Sequence, residues 1–144
     1  MAPTDLSPEG IKDPLTLFSY LVETGGSVLT TSETGNGSLV RLGYKVDVVK
    51  KDLRMLGLPT ETLDSFWWSN ADASYSIEDA FRILQILFKG LRPKKGILVL
   101  SFQKLGKENP WSSRTVMTVL RQAGFQLFHT FENAEEHLFF CQRL

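Results

Sequence analysis

Residues 81–102, FRILQILFKGLRPKKGILVLSF, change their hydrophobic period partway along. Phe81, Leu84, Leu87, Phe88 and Leu91 recur at helical spacing, whereas residues 97–100, ILVL, form a short unbroken apolar run of strand type. Arg92 and Pro93 stop the helix, and Lys94, Lys95 and Gly96 supply a polar turn, so the chain reverses into a sheet within a few residues. This is half of a βαβ unit. A strand without polar alternation is covered on both faces, the habit of parallel α/β sheets. The segment therefore predicts a layered α/β domain and says little about chemistry.

The rest of the chain alternates in the same way. Residues 1–10 contain Pro3, Pro8 and Gly10 with little to bury and read as a loose arm, which leaves a single domain over residues 11–144. A first helix is predicted over residues 14–23, with Leu15, Phe18, Leu21 and Val22 on one face, Pro14 in its first turn and Gly25 and Gly26 at its end. Residues 27–31, SVLTT, form a strand. Gly35, Asn36 and Gly37 then call for loop geometry, and the Asn36-Gly37-Ser38 sequon reads as a turn. Residues 39–42 are either a stunted helix or part of a hairpin with the preceding strand, before Tyr44, Val46, Val48 and Val49 make the next strand.

Residues 63–69, LDSFWWS, are expected as a central strand, with Trp67 and Trp68 on opposite faces, one beneath each helical layer. Ser76 caps the long helix, with Asp79 completing a capping box. Ser112 caps another helix carrying Val116, Val119 and Leu120 and ending at Gly124. Residues 125–144 read as a hairpin turning around residues 132–136.

Sixteen basic residues balance sixteen acidic ones, and the pairs Lys50/Lys51 and Lys94/Lys95 lie far apart, so no concentrated basic face points to nucleic acid. The longest apolar runs, residues 97–100 and 138–141, are too short to span a bilayer, and the N-terminus lacks a basic-then-apolar leader. An intracellular, cytoplasmic protein is expected. Cys141 is the only cysteine, which rules out an intramolecular disulfide or a thiol pair, and it reads as a small apolar residue of the last strand. His129 and His137, the two histidines, lack metal-ligand spacing and read as structural or exposed. Glu132, Glu135 and Glu136 read as a solvated turn, and neither a Gly-x-Ser-x-Gly elbow nor a phosphate loop occurs. No catalytic or metal-binding residue is assigned.

Residues 52–71, DLRMLGLPTETLDSFWWSNA, are similar to a strand end, Leu-Pro turn and fourth strand of class I S-adenosylmethionine-dependent methyltransferases. Residues 88–102, FKGLRPKKGILVLSF, resemble that family's helix-to-fifth-strand signature, and LRQAGFQLFHTF with HLFFCQRL resemble its closing strands. The match runs over roughly residues 46–144. It implies a Rossmann-like, methyltransferase-type sheet, mostly parallel with a C-terminal antiparallel hairpin, its N-terminal part truncated or rearranged. It also implies a cofactor loop after the first strand, an acidic residue at Asp52 that contacts adenine, and a substrate pocket at Asn70 and Ala71.

The resemblance fails where the family keeps its chemistry. A Gly-rich loop lets backbone amides approach the ligand closely, yet Thr30 stands where the family has an acidic residue, and Ser32 and Thr34 replace the first two loop glycines. Gly35 and Gly37 remain and, with Asp52, are the candidate cofactor contacts. A βαβ unit takes about 30 residues, so the stretch between Thr31 and Asp52 is one strand-helix unit short, and the acidic residue for the ribose hydroxyls goes with it. Asp47 is either a replacement or a solvent-facing strand residue.

Two functions follow as expectations. One is a methyltransferase-like domain with an eroded site and no cofactor, acting as a protein-binding, scaffolding or regulatory module. It would show an exposed apolar patch where the lost helix covered the sheet, and engage a protein partner or form a homodimer. The alternative is an active S-adenosylmethionine-dependent methyltransferase with a compact pocket completed by the N-terminal arm or a second subunit.

Overall fold

In a computed structural model, residues 13–31, 36–103, 111–132 and 136–144 are described. The expected arm over residues 1–10 lies outside them. The helices are α1 Pro14–Leu21, α2 Asn36–Arg41, α3 Ala71–Ser74, α4 Ile77–Gly90 and α5 Ser113–Gln122, and a 3-10 turn occupies Leu53–Met55. The strands are β1 Ser27–Thr30, β2 Lys45–Val48, β3 Ser65–Trp68, β4 Ile97–Gln103, β5 Phe125–Glu132 and β6 Glu136–Arg143. They form one sheet in the order β2-β1-β3-β4-β6-β5. The first four run parallel, and β6 is antiparallel to both β4 and β5. This is a mixed α/β, Rossmann-like fold, mostly parallel with an antiparallel C-terminal hairpin.

The helix limits follow from their caps. Asp13 accepts from Leu15 N ahead of Pro14, and Ser76 and Ser112 accept from the amides of Asp79 and Thr115. The capping box at α4 is half formed, since the Asp79 carboxylate turns toward Arg54, 3.3 Å away.

A hairpin before Tyr44 is excluded by the parallel pairing of β1 with β2 across α2. Asn36-Gly37-Ser38, expected as a turn, forms the first turn of α2. Its far end explains why. Gly43, at φ +97°, donates to Val40 O at 2.9 Å, and Tyr44 N donates to Leu39 O at 3.2 Å, a Schellman termination that Leu39 anchors in the core.

The sheet separates two apolar clusters. Leu98, Leu100, Phe102 and Trp68 face α4 and α5, packing with Ile83, Leu87, Val116 and Leu120. Ile97 and Val99 face α1 and α2, packing with Phe18 and Leu39, and Trp67 lies against that side. The two tryptophans thus sit on opposite faces as their alternation requires. Cys141 is buried, and burial pushes its thiol pKa up.

Candidate cofactor crevice

The strand order changes direction between β1 and β3: the chain leaves β1 for β2 on one side, then crosses to β3 and β4 on the other. In open α/β sheets, ligands bind outside the carboxyl ends of the strands at such a switch point. A cavity of about 380 Å³ occupies that place, lined by Thr31 after β1, Lys50 to Arg54 after β2, and Ser69, Asn70 and Tyr75 after β3. Its volume lies within the roughly 300–1,000 Å³ of small-molecule clefts. A larger cavity of about 560 Å³ opens at the opposite, amino-terminal ends of the strands, beside Gly26, Asp64 and Arg92. Size favours the second, but position relative to the switch point favours the first.

The crevice floor is closed by the fork between β1 and β3. Thr31 N donates to Trp67 O at 3.3 Å, and Ser69 N donates to Thr31 Oγ1 at 3.0 Å. Asn70 follows in a left-handed conformation, φ 50° and ψ 50°, with its amide donating to Ser101 Oγ at 2.8 Å. Asparagine tolerates this region better than most residues. Its side chain does not cap α3 and stands exposed at the crevice.

The carboxylate of Asp52 is fully engaged. Its Oδ1 accepts from Arg54 N at 2.9 Å and Arg54 Nε at 3.0 Å, and its Oδ2 accepts from an Arg54 terminal nitrogen at 2.6 Å. Beside it the Tyr75 hydroxyl accepts from Leu53 N at 2.8 Å. The Arg54 side-chain hydrogen bonds come first among the causes that hold the Asp52 carboxyl at about 2, well below the usual range, and Asp52 in turn raises the pKa of Arg54. Lys50 and Lys51 line the same wall. Arg54 is shared between Asp52 and Asp79.

The other expected site residues fall differently. Gly35 lies outside the described residues. Gly37 is exposed in the first turn of α2 and is not among the residues lining the crevice. Ala71, the first residue of α3, is fully buried, packs in the α4 and α5 core and is not among the residues lining the crevice. Asp47 is solvent-exposed in register with Leu29 on the edge strand, away from the crevice lining. Between Thr31 and Asp52 the described chain holds one six-residue helix and one strand, the shortened course its length required.

The β2 edge also locates the exposed surface. Lys45 and Asp47 cover the side of β2 that no described helix overlies, so that side is polar rather than apolar. Apolar exposure lies nearby instead, with Val40 55% and Leu42 40% exposed on and after α2, and Met55 77% exposed in the 3-10 turn.

Sequence reasoning overlooked two long-range polar clusters. Asp64 accepts from Ser27 N at 2.9 Å, Ser27 Oγ at 3.1 Å and Arg92 Nε at 2.7 Å, tying the starts of β1 and β3 to the end of α4. Burial pushes its pKa up, but the Ser27 and Arg92 contacts outweigh that and leave it lowered. His137, expected to be structural or exposed, is 16% exposed and stands between Ser113 and Glu132. No residue spacing announces either cluster, because the partners meet only through the sheet topology. Among the described residues no group of three or more His, Cys, Asp or Glu side chains is arranged to hold a metal ion. No helix among them is long and apolar enough to cross a membrane.

No protein-family model and no curated protein sequence matches the chain. Solved structures do. A TehB-like S-adenosylmethionine-dependent methyltransferase from Corynebacterium glutamicum superposes with a TM-score of 0.70 at 16% identity, over 89% of this chain and 85% of that one. A methyltransferase of the same dependence from Aquifex aeolicus matches over 100% of both chains, with a TM-score of 0.62 and 16% identity. The [4+2]-cyclase SpnF matches 88% of this chain and 78% of its own, with a TM-score of 0.60 and 10% identity. The chain has a class I S-adenosylmethionine-dependent methyltransferase-like fold. The cyclase illustrates that one fold carries more than one named activity.

Proposed function

We propose that this is a methyltransferase-like domain whose S-adenosylmethionine site has eroded, and that it acts without methyl transfer as a protein-binding, scaffolding or regulatory module. The observation that carries this reading is the state of Asp52. Among the described residues it is the only acidic side chain lining the crevice, and Arg54 occupies both of its oxygens. An adenine amino group or a ribose hydroxyl would have to displace a charge-assisted pair, and such bonds are about twice as strong as neutral ones. The residues present do not fit the group.

The partner side of the reading rests on Val40, Leu42 and Met55, large apolar side chains left in water around the shortened half of the sheet. A protein partner or a second copy of the chain would cover them.

The active-enzyme reading draws on the volume of the crevice and its place at the switch point. Calorimetric titration with S-adenosylmethionine and S-adenosylhomocysteine separates the two. Absence of binding at millimolar ligand supports the eroded site, and micromolar binding supports the enzyme.

A further inference from the structure

At the carboxyl end of β4, on the face covered by α5, three polar side chains from three elements converge. His137 of β6 pairs with Phe102 of β4 on one side and with Glu132 of β5 on the other, which aligns the three residues across the sheet. Ser113, the first residue of α5, reaches the same place from the helical layer. Its Oγ lies 3.2 Å from His137 Nε2, and Glu132 Oε2 lies 3.7 Å from His137 Nδ1.

That order matters. A carboxylate beside Nδ1 favours the tautomer protonated there and leaves the Nε2 lone pair to accept the Ser113 hydroxyl proton. The imidazole packs against the Phe102 ring, with centroids 5.1 Å apart and planes at 31°, and meets Phe139 in an edge arrangement at 6.2 Å. Ser113 has no capping duty, because Ser112 performs it by accepting from Thr115 N at 3.2 Å. Ser113 stands at the amino end of a ten-residue helix, whose dipole favours negative charge developing on the serine oxygen.

We propose that Ser113, His137 and Glu132 form a nucleophilic relay that makes Ser113 reactive toward acyl esters, independently of the cofactor crevice. Ser113 Oγ bonds to the acyl carbon as its proton passes to His137 Nε2. That proton moves to the departing alkoxide as the ester C–O bond breaks, which leaves an acyl-serine. Water then loses a proton to Nε2 and adds to the same carbon. The carboxylic acid leaves as Ser113 Oγ recovers its proton, so the net change is ester and water to acid and alcohol. Ser113 and His137 touch the reacting atoms. Glu132 is a positioning residue that holds the tautomer and steadies the imidazolium, as the acidic member of a Ser-His-acid set does.

The test is labelling of the full chain with a fluorophosphonate, read by intact mass and peptide mapping. The expected result is one adduct at Ser113, absent in Ser113→Ala and formed roughly 100-fold or more slowly in His137→Gln. Glu132→Gln is expected to slow labelling by about tenfold or more, while Glu132→Asp, which keeps the charge, restores most of the rate. No adduct on the unaltered protein, an adduct on another serine, or an unchanged rate at Ser113 in His137→Gln would each overturn the proposal. The unaltered chain supplies the primary readout, so a poorly folding variant does not hide the answer.

Discussion

Arg54 grips Asp52 from two positions away in the chain, placing Nε 3.0 Å from Oδ1 and a terminal nitrogen 2.6 Å from Oδ2. The pair spans the turn that follows β2, where the crevice would offer its acidic contact. Its second tie, from Arg54 to Asp79 at 3.3 Å, anchors the guanidinium to the first turn of α4. The arginine thus bridges the 3-10 turn and α4.

Breaking this pair should release the carboxylate. In Arg54→Gln, carbon-detected NMR titration is expected to show the Asp52 pKa rising from about 2 toward the ordinary value near 3.9. The folded value is lowered, so ionised Asp52 contributes stability that is present above its unfolded pKa and fades as pH falls toward the folded one. Both groups are substantially exposed, so the effect on thermal unfolding should be small. An unchanged titration would remove Arg54 as the cause.

Asp64 should matter more for stability. Replacing it with Ala leaves Ser27 N and Arg92 Nε without their acceptor, and charge-assisted bonds of this kind suggest a loss of roughly 1–3 kcal/mol in urea denaturation near neutral pH. Because the folded pKa is lowered, the stabilisation is present above the unfolded value and disappears as pH drops through the folded one. The gap between Asp64→Ala and the unaltered protein should therefore close in acid.

Gly124 tests the packing behind α5. Its φ is +101°, and a Cβ there would come within 2.6 Å of Phe88 Cε2. Phe88 has little room to yield, with Phe125 at 5.7 Å edge-on and the Arg143 guanidinium 4.2 Å from its ring centre. Gly124→Ala is expected to lose about 2–4 kcal/mol, from left-handed strain and overpacking together, in a chemical unfolding experiment.

Much of the fold is legible wherever local period and capping agree. The change of period in residues 81–102 reappears as α4 ending at Gly90 and β4 beginning at Ile97, and Ser76, Ser112 and Gly124 mark helix ends where their chemistry requires. Helix α2 is less legible. Asn36 and Gly37 carry turn chemistry, and only the burial of Leu39 with the Gly43 termination makes six residues helical. The crevice divides in the same way. Asp52 and Asn70, singled out in the sequence, both line it, but the grip of Arg54 on Asp52 depends on how the turn closes. Ser27 with Asp64, 37 residues apart, and Ser113 with His137, 24 apart, meet only after the sheet has assembled.

The measurement that bears most directly on the eroded site is calorimetric titration of the folded chain with S-adenosylmethionine. The closed Asp52 and Arg54 pair beside Lys50 and Lys51 predicts no saturable binding up to about 1 mM ligand, a limit near −4 kcal/mol. Saturable binding at micromolar concentration would contradict it and return the domain to the working methyltransferases.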